Sequence, residues 1–272
     1  MWRLHGSVRE AQGKVEAALD AGITLLDTAD VYGADSFGAA EALFGEVLAA
    51  APALRDRMVV ATKGGIVFGA PYDQSAAYLS AAIDASLRRL HTDRLDLYQI
   101  HRPDLLAHPQ EVARVLDDAI VGGKIGSIGV SNYTPAQTRA LARFLTVPIV
   151  STQPEWSPLH LRPIFDGIAD QALERDMAVL AWSPLGGGRI MQPGTERERV
   201  VAQLFDDKAE DAGVDRAAAA YSWIMAHPAR PIPIVGTQNP ERIAKAADAF
   251  RPRWSRQEWY AVLQASMGEK LP

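Results

Sequence analysis

Four side chains in this sequence could together deliver a proton to a carbonyl oxygen: Asp27, Tyr32, Lys63 and His101. A tyrosine hydroxyl is a weak acid at neutral pH, with an ordinary pKa near ~10. A cation close to its oxygen favours the phenolate, and Lys63 can supply one. A lysine held in an apolar interior needs a counter-charge, which Asp27 offers. His101 can donate a hydrogen bond to an oxygen on which negative charge develops. Each residue alone has a plainer reading: Asp27 or Asp30 capping a turn, Tyr32 as packing with a wet hydroxyl, Lys63 as a solvated strand end, His101 as a structural histidine. As a set they describe a tuned proton donor beside an oxyanion site, which suits reduction of a carbonyl to an alcohol. The side chains hold no hydride, so a cofactor must bring it. Asp30 stays outside the set, as a turn residue.

A second set could hold that cofactor. Ser131, Asn132 and Gln153 are neutral hydrogen-bonding groups suited to a carboxamide, and Trp182 offers a flat face for stacking a ring. The run Ser183, Pro184, Leu185, Gly186, Gly187, Gly188 lets backbone N–H groups approach phosphates, because glycine puts no side chain in the way. The stretch GTQNPERI, from Gly236 through Thr237, Gln238 and Arg242 to Ile243, opens a helix, and helix N-termini favour phosphate.

These residues are positioned by short runs rich in β-formers: Thr24–Ala29, Met58–Lys63, Leu95–His101, Ile125–Ser131, Ile149–Glu155, Ala178–Pro184 and Pro231–Gly236. Most are continuously apolar rather than alternating, as strands buried on both faces are. Helical patterns fall between them: Ser7–Ala21, Ser36–Ala50, Ser75–Leu90, Pro109–Val121, Pro135–Leu145, Pro163–Arg175, Val214–Ala226, Pro240–Ala249 and Ser255–Met267. Strand and helix alternate without a linker, so a single domain over residues 1–272 is expected, with a parallel sheet. With Met1–Leu4 as an abbreviated first strand, eight βα units fit a (β/α)8 TIM barrel. A doubly wound open sheet is disfavoured, because no G-x-G-x-x-G turn follows an early strand. In such barrels the site lies at the C-terminal ends of the strands, which is where the polar residues above fall.

The bulk properties agree. Of 272 residues 48% are hydrophobic, the net charge is −5, and no Lys/Arg block stands out, so nucleic acid and anionic membranes are poor partners. The absence of cysteine excludes disulfides, thiol nucleophiles and Cys-ligated metals. No apolar run reaches the ~18 residues that span a bilayer, and no basic-then-apolar leader opens the chain, so a cytoplasmic protein acting on a small molecule is expected. A metal-dependent barrel hydrolase lacks a second histidine beside His101.

The segments GITLLDTADVYG, VVATKGG, LDLYQIHRPD, GKIGSIGVSNYTPAQ, STQPEWSP, AWSPLGGG and PIVGTQNPERI follow one another in an order and spacing that resembles the aldo-keto reductases, NADPH-dependent enzymes on a (β/α)8 barrel. The resemblance implies a tetrad of Asp27, Tyr32, Lys63 and His101, with Tyr32 as proton donor. It implies nicotinamide contacts from Ser131, Asn132 and Gln153, stacking by Trp182 where tyrosine is commoner, a pyrophosphate loop over Ser183–Gly188, and an adenosine-phosphate segment at Gly236, Thr237, Gln238 and Arg242. Many members carry lysine where this chain has Gly236, which leaves Arg242 for the 2′-phosphate; the implied cofactor is NADPH/NADP+, with NADH left open. The chain starts inside the family's first strand, so either it is shortened or its start was assigned late. Some members serve as cofactor-sensing subunits, the alternative to a reductase. Loops 64–74, 102–108 and 156–161 and the C-terminal tail would shape the pocket, with Phe68, Tyr72, Trp156 and Trp182 making its mouth aromatic.

Overall fold

The computed structural model describes residues 4–33 and 36–271. The chain forms two compact units, Met1–Gln153 and Pro154–Pro272. The strand expected at Met1–Leu4 falls mainly on residues outside the described ones; Leu4 itself is buried and not in a strand.

In the first unit five strands lie side by side and parallel: β1 (Leu25–Asp27), β2 (Val59–Gly64), β3 (Leu97–Ile100), β4 (Ile128–Ser131) and β5 (Ile149–Gln153). β3 and β4 are buried along their whole length, as their mostly apolar character requires. Between β4 and β5 the register slips at Ile128/Gly129. A Cβ on Gly129 would come within 2.2 Å of the Ser151 hydroxyl.

The connecting helices start where their caps say they should. Ser7 and Glu10 close a capping box on Val8–Asp20, and Thr134 with Gln137 does the same for Pro135–Ala142. Ser75 caps Ala76–Arg89, and His108 caps Pro109–Val121 through its ring nitrogen. Helix Ala39–Ala50 approaches Ala76–Arg89 so closely that a Cβ on Gly45 would meet the Arg89 carbonyl at 1.9 Å.

In the second unit β6 (Ala178–Ala181) pairs in parallel with β7 (Ile232–Pro233). The helix expected over Pro163–Arg175 is two pieces, Arg162–Phe165 and Ile168–Glu174, because Gly167 takes φ +84° and turns the chain. Helix Glu196–Ala212 was not expected from the sequence. Its face is mostly charged, and it is held by a Thr195/Glu198 capping box, a left-handed Gly213 and a Lys208–Glu258 ion pair at 2.8 Å. Helices Arg216–Met225 and Arg256–Met267 lock through Trp223 and Trp259. The two indoles stack at 4.9 Å, and each N–H donates to the other residue's carbonyl at 3.1 Å.

Candidate active site

All four residues proposed for proton transfer lie in the first unit and come together. Asp27 is the last residue of β1, Lys63 the penultimate residue of β2, and His101 directly follows β3. Tyr32 sits in the turn after β1; its N–H is bonded to Ala29 O and its carbonyl to Ala40 N, which seats the ring against Ala29 and Ala40.

Lys63 is fully buried. Its ammonium donates to Asp27 Oδ2 at 2.6 Å and to Thr28 O at 2.8 Å. The other Asp27 oxygen, Oδ1, accepts from Gln99 Nε2 at 3.1 Å and Gln153 Nε2 at 3.0 Å. Burial alone would push the Asp27 carboxyl up, but the Lys63 ammonium and the Gln153 amide hold it below its ordinary value. Burial draws the Lys63 ammonium below its ordinary value, with Asp27 opposing. The Lys63 Nζ stands 5.5 Å from the centre of the Tyr32 ring. The Tyr32 hydroxyl is 3.5 Å from His101 Nε2, and the two rings meet edge to face at 5.6 Å.

The polar residues at the ends of β4 and β5 join the same network. Ser131 Oγ donates to Gln153 O at 2.9 Å. Asn132, at φ +59°, donates its Nδ2 to His101 O at 3.1 Å and to Ser131 Oγ at 2.9 Å. Gln153 therefore braces Asp27 with its amide nitrogen, a role its side-chain type does not announce.

Sequence reasoning missed three parts of this unit. Gln99, lone and polar in the apolar run LDLYQIH, holds Asp27; its position inside a buried strand was the available signal. Glu41 is wholly buried, accepting from Thr62 Oγ1 at 2.5 Å and paired with Arg89 at 2.6 Å. Asp30 lies in a turn, as expected, but is only 1% exposed. Its carboxylate is packed in by Tyr98 and Tyr78, and burial raises its pKa to about 8, with Glu41 adding to the effect. Gly64 makes room for this: a Cβ there would lie 2.1 Å from Tyr98 Oη and 3.1 Å from Asp30 Oδ2.

Two loops expected to shape a pocket are tied together in this unit. Gln74 donates its amide to Arg102 O, receives the Tyr133 hydroxyl at 3.2 Å, and its N–H donates to Asp104 at 3.0 Å. Phe68 stands exposed on the first loop, edge-on to Phe37 at 5.6 Å, and Tyr72 is half-buried there.

The residues expected to meet the distant parts of a cofactor lie in the second unit. Trp182 follows β6, half-buried, its N–H on Pro154 O. Ser183 takes φ +50°, and Gly186, Gly187 and Gly188 take φ +61°, +69° and +94° in succession. Nothing lies within 4 Å of a Cβ built on Gly187 or Gly188; the conformation, not crowding, calls for glycine there. Pro184 is buried and Leu185 packs beside Tyr221, anchoring the loop. In the other segment Thr237 Oγ1 accepts from Asn239 N, and Asn239 caps Pro240–Lys245. Gly236 and Arg242 are exposed. Gln238 Oε1 is a buried acceptor with no hydrogen-bond partner among the described residues, and such an atom is costly unless a donor reaches it. Both segments thus fit a phosphate-bearing nucleotide. Trp156, expected at an aromatic mouth, is instead fully buried and edge-on to His227 at 5.1 Å, a core position of this unit.

The Aldo/keto reductase family matches residues 2–266. A 6-dehydroglucose reductase from Novosphingobium aromaticivorans is 57% identical over the whole of this chain and 91% of its own length. A 6-dehydroglucose reductase from Agrobacterium fabrum is 36% identical, over the whole chain and 94% of its own. Among solved structures, the glycerol dehydrogenase from Gluconobacter oxydans matches with a TM-score of 0.85 at 27% identity, covering 97% of this chain and 87% of that one. The fold class is accordingly parallel α/β of the TIM-barrel type.

Proposed function

Since the chain belongs to the aldo/keto reductase family and is an oxidoreductase, we propose that it reduces an aldehyde or ketone to the alcohol, with Tyr32 as proton donor and NADPH as reductant. The observation that carries this reading is the buried Asp27–Lys63 pair set beneath the Tyr32 ring, with His101 Nε2 at 3.5 Å from the Tyr32 hydroxyl. When bound, the nicotinamide supplies the hydride. The chain's own groups do the rest. Tyr32 gives its proton to the carbonyl oxygen, Lys63 stabilises the phenolate left behind, and Asp27 keeps Lys63 charged and aimed. His101 is the second group assigned to that oxygen.

Ser131, Asn132 and Gln153 are assigned to the nicotinamide carboxamide and Trp182 to its ring. Ser183, Pro184, Leu185, Gly186, Gly187 and Gly188 are assigned to the pyrophosphate, with Gly236, Thr237, Gln238 and Arg242 on the adenosine side. Support comes from the unsatisfied Gln238 oxygen and the run of left-handed glycines. The Arg242 guanidinium, on the solvent side of its short helix, suits a 2′-phosphate and hence NADPH over NADH. The 57% identical relative's name makes 6-dehydroglucose the first substrate to offer.

The test measures NADPH and NADH oxidation against 6-dehydroglucose and a panel of aldehydes and ketones, in wild type and Tyr32→Phe. The wild type should turn over, whereas Tyr32→Phe should lose at least about 100-fold in kcat and keep its NADPH affinity. Turnover by Tyr32→Phe at the wild-type rate would overturn the assignment. Tight NADPH binding with no turnover across the panel would point instead to a cofactor-sensing subunit.

A further inference from the structure

Two buried carboxylates besides Asp27 sit near Lys63, and they are neutralised differently. Glu41, from helix Ala39–Ala50, is matched by Arg89, whose guanidinium contacts it through two nitrogens at 2.6 and 2.7 Å. Asp30 has no ion pair among the described residues. Its Oδ1 has no hydrogen-bond partner among them, and its Oδ2 receives the Tyr78 hydroxyl at a long 3.5 Å, with the Val31 N–H as a second influence on the carboxyl. Yet its main chain is fixed to the strand that carries the catalytic lysine, Asp30 N donating to Lys63 O at 2.9 Å. The groups facing it are Tyr78 and Arg89 from helix Ala76–Arg89, Tyr98 from β3, Glu41, and Lys63 from β2. Lys63 feels Asp27 first, then Asp30 and Glu41.

We propose that Asp30 is a positioning residue that holds a proton, so that Asp27 is the one uncompensated anion opposing Lys63 and the lysine's charge acts in full on Tyr32. A buried carboxylate without an ion pair of its own and with only poor donors is costly, and binding a proton removes that cost. The proton stays on Asp30 and is not consumed; the reaction's own proton comes from Tyr32. Once Asp30 ionises, a second negative charge reaches Lys63 and offsets its pull on the Tyr32 phenolate. The enzyme then carries two coupled ionisations on the alkaline side, one at Asp30 and one at the Tyr32–Lys63 pair. This role rests on the reductase reading for its consequence, but not for its detection.

Infrared difference spectroscopy between pH 6 and 10 reads the proton directly. Wild type should show the C=O stretch of a protonated carboxylic acid that bleaches through about pH 8, and Asp30→Asn should lack it. Tyr78→Phe removes the hydroxyl that favours the charged form, so its band should persist to higher pH. In turnover, Asp30→Asn should stay within about twofold of wild type at neutrality and lose one of two alkaline ionisations from its kcat profile. The inference is overturned if no such band is present or if Asp30→Asn leaves it in place. It is overturned equally if an active Asp30→Asn follows the wild-type pH profile throughout, or is slowed by the same factor at every pH. Absence of any wild-type turnover would sink the reductase reading alone, since the infrared band still decides whether Asp30 holds its proton.

Discussion

Replacing Lys63 by methionine keeps roughly the volume of the side chain and removes its charge. Asp27 then remains 1% exposed, with two amide donors, from Gln99 and Gln153, and no cation. Breaking one side of a buried pair costs about 3–5 kcal/mol, a large part of the 5–15 kcal/mol that holds a typical domain. The sign with pH follows from the shifts. In wild type the Asp27 carboxyl is held below its ordinary 3.8. The pair's contribution is therefore present above 3.8 and is lost as the pH falls through the lower folded value. In Lys63→Met the amide donors are left to oppose burial, the carboxyl moves upward, and the variant escapes its penalty by taking a proton. The stability gap should be widest at and above neutrality and should narrow as the pH drops toward 3.8. Urea unfolding followed by circular dichroism and tryptophan fluorescence measures it. Adding Asp27→Asn to Lys63→Met should restore about 1–3 kcal/mol, a positive coupling between the sites. A Lys63→Met protein within about 1 kcal/mol of wild type at neutrality, or a gap that ignores pH, would refute the reasoning.

Two further substitutions test the packing and the charges away from the site. Gly45→Ala should stabilise a helix by about 1 kcal/mol from propensity alone. Here the new methyl would meet the Arg89 carbonyl at 1.9 Å, so thermal unfolding should show a net loss of up to about 2 kcal/mol; a gain would contradict the close helix approach. Lys208→Met removes the ammonium whose hydrogen bond does most to lower the Glu258 carboxyl to about 2. That pairing stabilises above the ordinary 4.5 and fades as pH falls from 4.5 toward about 2. With Glu258 45% exposed, the effect should be below about 1 kcal/mol and should shrink in salt. A pH-independent loss would mean that Lys208 acts through packing over Trp254, 5.4 Å away.

The strands of this chain were legible because each is short, apolar and bounded by polar ends, and all seven such runs contain a strand. Asp27, Tyr32, Lys63 and His101 were legible for the same reason, as polar types at the ends of apolar runs. Helix Glu196–Ala212 was not, because its face is too polar for periodicity to show; its signals were local, Thr195 with Glu198 at one end and Gly213 at the other. Gln99 was hidden inside a strand, and the burial of the turn residue Asp30 was not legible because it comes from Tyr78 and Tyr98, which arrive from other elements. Sequence spacing shows which chemical types cluster along the chain, but not which of them other elements will bury.

The Gln153 brace on Asp27 has a consequence for how the molecule is made. These two residues are 126 positions apart. At ribosomal rates of about 5–20 residues per second, ~6–25 s separate their emergence. Through that interval the nascent β1–β4 sheet must carry a charged pair destined for the interior without the amide that completes its coordination. Ser131, likewise, waits for the Gln153 carbonyl. The Asp27 carboxylate that pairs with Lys63 is thus fully seated only when β5 docks, so a chain stalled before that strand would present an incompletely braced carboxylate to the cell's chaperones.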